Sequence, residues 1–248
     1  YIDITQDVMS IFGIAVERNK NHIKISKNKQ NAPEEILSEG DFSNAAFWLV
    51  AGAISGDVEC YNLSFDTRQG DKEIVNVLKK FGADIKIGEN SVRVKKSPLK
   101  GIVIDAENIP DLVPILSVAA ACAEGETVFL NTSRLREKES DRVDAVVKMI
   151  SSLGGDVASE ENKIVVKKSF LKGAAVDSCN DHRIAMSCAV ASLVAKGKTT
   201  IIGAEAVEKS YPHFFNDFNS IFQRISLILI KIFISIYNSL THCLTPQP

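Results

Sequence analysis

The sequence predicts an α/β fold (α+β) built from repeated helix–strand–helix–strand–strand units. Three observations support this prediction. Three helix-like segments are apolar on every side, each with a polar opening and a glycine at its end. Between them lie one-sided amphipathic helix patterns, each followed by two strand patterns joined by a polar turn. The 248 residues, 45% hydrophobic and 24% charged, are ordinary for a globular chain that buries a sizeable core.

The first repeated unit is a polar opening, an apolar helix, a glycine and a β-rich run. Helices that are apolar all round are buried beneath sheets or other helices, so we expect these three to form the centre of the fold. The three copies of this unit have their helices at 40–56, 109–125 and 180–197. The strands that follow these helices are at 57–61, 126–130 and 198–202, in the same order.

The second unit is an amphipathic helix that ends at glycine, followed by two strands. Its clearest copies cover 73–95 and 143–167, with polar turns at 88–90 and 160–162. An earlier copy covers 4–27. The one-sided helices of this unit are expected to lie nearer to solvent.

The repeats also suggest where domains divide. One helix–strand–strand copy precedes a break near 32–40, and a complete set follows, so we expect 1–38 to end one domain and 39–220 to form another. The chain opens inside an element and without Met, as expected of the later part of something longer. Residues 221–248 form an atypical apolar tail, in which the Ile-rich run 225–237 is shorter than a membrane span of ~20 residues and is interrupted by Lys231. Either a foreign segment or a native helix is compatible with this tail.

Composition excludes several classes of function. A net charge of −2 gives no reason to expect a nucleic-acid or anionic-membrane partner. The four histidines form no recognised metal-binding motif in the sequence, so we expect no metal site. The five cysteines form no Cys-x-x-Cys pair, and Cys122 and Cys188 fall in apolar helical patterns typical of buried reduced thiols.

The most unusual stretch is 134–142, in which seven of nine residues are charged. Apolar residues at helical spacing follow it, which predicts a helix with Ser140 as N-cap and Asp141 in its first turn. Arg142 would then lie among the free backbone N–H groups that attract anions, with Lys138 and Glu139 just outside. Taken alone, such a charge run is typical of a solvated helix start.

The openings of the three apolar helices change that interpretation. If the repeats stack with one polarity, these helix N-termini converge near Arg142 and form a site for a small multi-anionic substrate. Within that site Asp111 and Glu139 are candidates for acid–base work. The plainer interpretations stay open: the aspartates at two openings cap helices, and His182 is structural. The openings carry Asp41 and Ser43, Asp111, and Asp181, His182 and Arg183.

Several motifs in this order resemble the EPSP synthase family, over roughly residues 1–220. The segments that carry the resemblance are Tyr1-Ile-Asp-Ile-Thr5, Glu39-Gly-Asp41, Ile109-Pro-Asp111, Arg136-x-Lys-Glu-Ser-Asp-Arg142, Asn180-Asp-His-Arg-Ile-Ala-Met186 and Lys209-Ser-Tyr-Pro-x-Phe-Phe215. The resemblance implies an enolpyruvyl-transferase-like two-domain fold closing on its substrates. It also implies transfer of the enolpyruvyl group of phosphoenolpyruvate to the 5-hydroxyl of shikimate 3-phosphate, by addition and elimination, in aromatic amino-acid biosynthesis.

The resemblance also implies roles for individual residues. Asp111 and Glu139 match the proton-transferring carboxylates, and Asp111 also matches a contact to shikimate 3-phosphate. The full assignment is Arg142, Arg183 and Lys209 for phosphoenolpyruvate, and Asp111, Lys138 and Tyr1 for shikimate 3-phosphate. Glu137 and Arg134 depart from residues common at those positions, and Arg134 receives no role.

The resemblance implies no metal or organic cofactor, a cytoplasmic location and a monomer. The family's N-terminal portion, with its phosphate contacts, has no counterpart here, so we expect this chain alone to be inactive. Two alternatives stay open. One is a UDP-N-acetylglucosamine enolpyruvyl transferase of the same fold, and the other is a catalytically silent binding module.

Overall fold

A computed structural model describes residues 2–26, 33–36 and 38–222. The helices are α1 (Ile2–Ile11), α2 (Phe42–Ser55), α3 (Ile74–Phe81), α4 (Val113–Cys122), α5 (Arg142–Ser152), α6 (His182–Ser192) and α7 (Phe214–Phe222). The strands are β1 (Val16–Arg18), β2 (Ile23–Ile25), β3 (Asp57–Tyr61), β4 (Asp84–Ile87), β5 (Ser91–Lys95), β6 (Val103–Asp105), β7 (Glu126–Leu130), β8 (Asp156–Glu160), β9 (Lys163–Lys167), β10 (Ala175–Asp177) and β11 (Thr200–Ile202). Short 3₁₀ turns cover Gly70–Glu73, Pro110–Leu112, Ser133–Glu137 and Ala204–Lys209.

The described strands form four small sheets. Their orders are β1-β2, β3-β5-β4, β6-β7-β9-β8 and β10-β11. Pairs within a repeat are antiparallel hairpins, such as β4 with β5 and β8 with β9. The two short strands β6 and β10 pair in parallel with β7 and β11. A mixed α/β architecture of repeated units is therefore confirmed.

The three apolar helices α2, α4 and α6 pack against one another at the centre of the fold. Their side chains are buried on all sides, from Phe47 and Leu49 in α2 to Ile115 in α4 and Met186 in α6. The amphipathic helices α3 and α5 bury one face each, as the sequence pattern predicts. This arrangement gives the three central helix N-termini a common end of the fold.

Two heptapeptides show the internal repeat in atomic detail. In the segments 95–101 and 167–173, which share the pattern Lys-Lys-Ser-x-Leu-Lys-Gly, Ser97 and Ser169 make the same contacts. Each hydroxyl accepts a bond from the first residue of the preceding hairpin, Asp84 N–H at 3.0 Å and Asp156 N–H at 2.9 Å. Each serine N–H donates to the end of an apolar helix, at Ala53 and Ala121. The two units therefore have the same local packing.

Trp48 of α2 anchors the C-terminal helix of the described chain. The rings of Phe214, Phe218 and Phe222 in α7 lie 5.3, 6.3 and 6.2 Å from the Trp48 ring centre. All three phenylalanines are buried. Helix α7 is therefore part of the core.

Some elements were not predicted from the sequence. The three-residue strands β6 and β10 were not predicted, and neither was the helix α7. The division at 39 and 220 stays a prediction. Tyr1 and residues 223–248, which hold nearly all of the tail, lie outside the described residues.

The first three elements bury little of their surface. No residue of α1 is buried, and Ile2, Ile11, Ile23 and Ile25 are exposed. Within the described ranges, no helix is both long and apolar enough to cross a membrane.

Candidate active site

Aspartates cap the helices that converge on the site. Asp41 accepts a bond from the Ser43 N–H (2.8 Å) at the start of α2, and Asp181 accepts one from the Arg183 N–H (2.9 Å) at the start of α6. At the start of α5 the sequence prediction was wrong by one residue. The N-cap is Asp141, which accepts bonds from the N–H groups of Val143 and Asp144, whereas Ser140 donates its hydroxyl to Asp181 at 3.0 Å. The Asp141 carboxylate accepts two N–H bonds at the start of α5. The Ser140 hydroxyl accepts neither of them, because it points to Asp181 instead.

Arg142 lies at the centre of the converging helices and is fully buried. Its Nε donates to Asp181 at 2.8 Å and its Nη1 to Asp111 at 2.6 Å. Its Nη2 bonds Glu139. Burial lowers the pKa of Arg142, but these carboxylates outweigh burial and raise it overall, so the guanidinium stays charged. A solvated helix start is therefore excluded.

Asp111 joins three cations to one carboxylate. Beside the bond from Arg142, Lys138 Nζ lies 3.2 Å from its Oδ1 and Arg183 Nη2 lies 3.4 Å from its Oδ2. Burial raises the pKa of Asp111, but the charges of Arg183, Arg142 and Lys138 together hold it well below its usual range. We call the six residues Asp111, Lys138, Glu139, Arg142, Asp181 and Arg183 the arginine cluster.

The cluster is electrically balanced. Its three cations face three carboxylates, all joined by the ion pairs described above. Glu139 has the most exposed side chain of the three carboxylates, at 41%, against 11% for Asp111 and 0% for Asp181. It is therefore the carboxylate best placed to exchange a proton with solvent.

Arg183 is less completely bonded than Arg142. It reaches Asp111 only at 3.4–3.5 Å, and its buried Nε has no hydrogen-bond partner among the described residues. The neighbouring His182 is also buried, and burial together with Arg183 lowers its pKa, so its ring is neutral at pH 7. An incompletely bonded guanidinium at a helix N-terminus has donors left for an anion.

One predicted site residue, Lys209, lies outside the arginine cluster. Lys209 donates from Nζ to the Asn180 carbonyl at 2.5 Å, which places it beside the loop that leads into α6. Tyr1 lies outside the described residues.

A cavity of about 680 Å³ opens beside the cluster. Asp111 and Lys138 form one wall, Asp41, Ser43 and Asp71 another, and Arg134 also faces it. Asp71 was not predicted as a site residue, because it does not lie at the polar opening of an apolar helix. Asp71 lies in the 3₁₀ turn Gly70–Glu73, which leads into the amphipathic helix α3.

Gln69 fixes this second wall. Its amide oxygen accepts a bond from the Phe42 N–H and its amide nitrogen donates to the Gly40 carbonyl, both at 2.9 Å. These bonds hold the 3₁₀ turn of Asp71 against the N-terminus of α2. Ser43 then donates its hydroxyl to the Asp71 carboxylate.

Comparison with known proteins identifies the family. The sequence model of EPSP synthase (3-phosphoshikimate 1-carboxyvinyltransferase) matches residues 1–218. A 3-phosphoshikimate 1-carboxyvinyltransferase of Clostridium acetobutylicum is 46% identical over 220 residues, which are 88% of this chain and 51% of that protein. A second, from Clostridium novyi, is 42% identical over 223 residues, which are 89% of this chain and 51% of that protein.

Solved structures agree on the fold. An EPSP synthase of Acinetobacter baumannii superposes with a TM-score of 0.74 at 30% identity, over 88% of this chain and 53% of that chain. The enolpyruvyl transferase NikO of Streptomyces tendae, at 17% identity, shares the fold with a TM-score of 0.70, over 86% of this chain and 51% of that chain. The chain spans about half the length of the curated relatives it matches. On this evidence the chain belongs to the EPSP synthase family.

Proposed function

We propose that this chain supplies part of the active site of an enolpyruvyl transferase acting on phosphoenolpyruvate and shikimate 3-phosphate. The observation that carries the proposal is Asp111, a carboxylate in contact with Lys138, Arg142 and Arg183 at converging helix N-termini. Such a site pairs a proton acceptor with donors for the carboxylate and phosphate of a small anion. Family membership favours this function over a UDP-N-acetylglucosamine enolpyruvyl transferase.

The proposed reaction moves three protons: one leaves the 5-hydroxyl, one is added to C3, and one is later removed from C3. The 5-hydroxyl of shikimate 3-phosphate loses its proton as its oxygen bonds C2 of phosphoenolpyruvate, while C3 gains a proton. The tetrahedral intermediate then breaks its C2–O bond to phosphate and loses a proton from C3, which restores the double bond. Asp111 and Glu139 are the carboxylates proposed for these transfers.

The surroundings of Asp111 suggest how it becomes a better base. Its pKa is held low by three cations, and a carboxylate with a very low pKa is a weak acceptor at pH 7. An anion that binds Arg183 and Arg142 shares their positive charge, which raises the basicity of Asp111 when substrate is present. Lys138 lies on the cavity side of Asp111 and is the proposed contact for shikimate 3-phosphate.

The charge balance limits what this chain does alone. Phosphoenolpyruvate and shikimate 3-phosphate are both multiply charged anions, whereas the cluster has no excess of positive charge. Further cations are needed, and we propose that an N-terminal part of the same protein, corresponding to what the relatives have and this chain lacks, supplies them. The proposed enzyme is cytoplasmic and monomeric and uses neither metal nor organic cofactor.

A hybrid tests this proposal. The chain is joined to the part of the Clostridium acetobutylicum relative that it does not match, and phosphate release from the two substrates is measured. We expect steady release by the hybrid and none by residues 1–248 alone. A folded hybrid that releases no phosphate would indicate a catalytically silent module, and release with UDP-N-acetylglucosamine instead would change the substrate.

A further inference from the structure

Asp71 is a buried carboxyl without a strong cationic partner. Its side chain faces the cavity, the residue is 8% exposed, and its direct partner is the Ser43 hydroxyl. Among the described residues, no lysine, arginine or histidine nitrogen lies within ion-pair distance of it, in contrast to Asp111 and Asp181. A carboxylate buried in this way is costly to keep charged.

The charges around Asp71 act in both directions. Burial raises the pKa of Asp71, the hydroxyl of Ser43 and the charge of Arg183 lower it, and Asp111 and Asp41 raise it; the net direction is upward. The charged groups that share its cavity are Asp3 on α1, Glu39 and Asp41 before α2, Arg68 on its own loop, Asp111 before α4, and Arg134 and Lys138 before α5. The uncharged polar side chains in the lining are Ser38, Ser43, Gln69 and Asn108. Arg183, on α6, acts on it electrostatically.

We propose that Asp71 is a positioning residue for the anion site, which takes up a proton when a phosphate- or carboxylate-bearing ligand binds beside Arg183. Charged, Asp71 competes with the incoming anion for Arg183 and repels it. Protonated, it keeps its place through Ser43 and leaves Arg183 to the ligand. The identity of the ligand as phosphoenolpyruvate rests on the proposed function; the proton uptake does not.

Linkage gives a quantitative expectation. If one proton is taken up with the anion, affinity falls about tenfold for each pH unit above the titration midpoint of Asp71. Asp71→Asn is nearly the same size, still accepts the Ser43 bond and has no proton to gain, so this dependence should vanish. Ser43→Ala removes a donor that favours the charged form and should move the midpoint of Asp71 to higher pH.

The experiment is an NMR titration, from pH 4 to 9, of the hybrid described above, which also carries the proposed N-terminal cations. The side-chain carboxyl signal of Asp71 and the amide signal of Arg183 are followed without ligand, with phosphoenolpyruvate, with inorganic phosphate, and with chloride at equal ionic strength. Ionic strength is matched because salt alone screens these charges. We expect phosphoenolpyruvate and phosphate to move the Asp71 midpoint upward, and chloride to leave it in place.

The outcomes separate the two proposals. If phosphoenolpyruvate shifts the Arg183 amide signal but does not move the Asp71 midpoint, proton uptake is overturned. The proposed function is then unaffected. If phosphate moves the Asp71 midpoint and phosphoenolpyruvate leaves it in place, the result supports proton uptake and contradicts the proposed function. No movement with either anion overturns the inference. The control is Asp66→Asn, an exposed aspartate on the same loop, which should change neither midpoint nor affinity.

Discussion

Arg142 connects most of the arginine cluster, since each of its three nitrogens donates to a different carboxylate. Lysine keeps the charge but presents one compact ammonium in place of a planar fork. We therefore expect Arg142→Lys to lower the free energy of unfolding by roughly 1.5–3 kcal/mol, the value of a charge-assisted hydrogen bond left unmade. Removing the charge in Arg142→Met should cost about 3–5 kcal/mol. Urea denaturation at pH 7 measures both.

The matched control for Arg142 lies on the same helix. Lys148 pairs with Asp144 at 2.6 Å, but both side chains are more than half exposed. Lys148→Ala should change stability by no more than about 0.5 kcal/mol. If Arg142→Lys were as mild as this control, the guanidinium would not be the connection that its geometry indicates.

The cap of α5 gives a second test at the residue scale. Asp141→Ala removes the acceptor for two N–H groups and should cost about 0.5–2 kcal/mol. Ser140→Ala leaves the cap in place and removes only a bond to Asp181, which keeps its bonds from Arg142 and Arg183. Thermal melts should show the larger loss for Asp141→Ala; the reverse order would restore Ser140 as the cap.

Sequence alone predicted the residues of the site better than their bonds. The charge run and the polar helix openings indicated that Asp111, Arg142 and Arg183 meet, and they do. Two details were beyond reach. Asp181 was expected to cap a helix and also bonds Arg142, because a carboxylate has two oxygens that serve different partners. Asp71 depends on a loop conformation that no periodicity encodes.

At the scale of elements, α7 is the last described helix and packs into the core. Phe222 is 7% exposed and stacks on Trp48 with an interplanar angle of 15°. A chain truncated after Phe222 should therefore keep its cooperative melt. Truncation after Ser220 removes Phe222 and Ile221, and burial of a phenylalanine of this kind is worth about 3–5 kcal/mol.

Comparing the chains truncated after Ser220 and after Phe222 tests the predicted C-terminal boundary of the domain. The boundary predicted from the sequence, at 220, falls two residues before the end of α7. Equal melting temperatures for chains ending at 220 and 222 would show that Phe222 contributes nothing to the core. Ser220→Ala in the longer chain is a suitable control, since its hydroxyl bonds only the Asp217 carbonyl of the same helix.

The long elements were predictable from the sequence, whereas the short strands β6 and β10 were not. Helices α2, α4 and α6 and the hairpins follow from periods that extend over many residues. Strands β6 and β10 hold only three residues and exist because each pairs with the strand that follows the next apolar helix. The glycines two residues before these strands show how closely the backbones approach. A Cβ at Gly101 would lie 2.1 Å from the carbonyl oxygen of Glu126, and one at Gly173 would lie 2.3 Å from that of Lys198. Such close approaches are tertiary, and no local pattern reports them.

At the scale of the whole molecule, charge and length lead to the same conclusion. The arginine cluster has as many carboxylates as cations, and the chain spans about half the length of its curated relatives. The exposed apolar side chains of α1 and β2 are further surface that a larger protein would cover. These observations support the proposal that an N-terminal part of the same protein completes the site.

The central claim is that Asp111 transfers a proton while the arginines bind the anion. The most direct measurement is steady-state turnover and phosphoenolpyruvate affinity of the hybrid carrying Asp111→Asn, with Asp66→Asn as control. Loss of a positioned acid–base group lowers turnover by about 10²–10⁴-fold. We predict a decrease in that range, with phosphoenolpyruvate bound as tightly as before or tighter, because Asn leaves more of the positive charge of Arg142 and Arg183 to the ligand. Turnover within a few-fold of the parent hybrid, or a loss of affinity without a loss of turnover, would contradict the account.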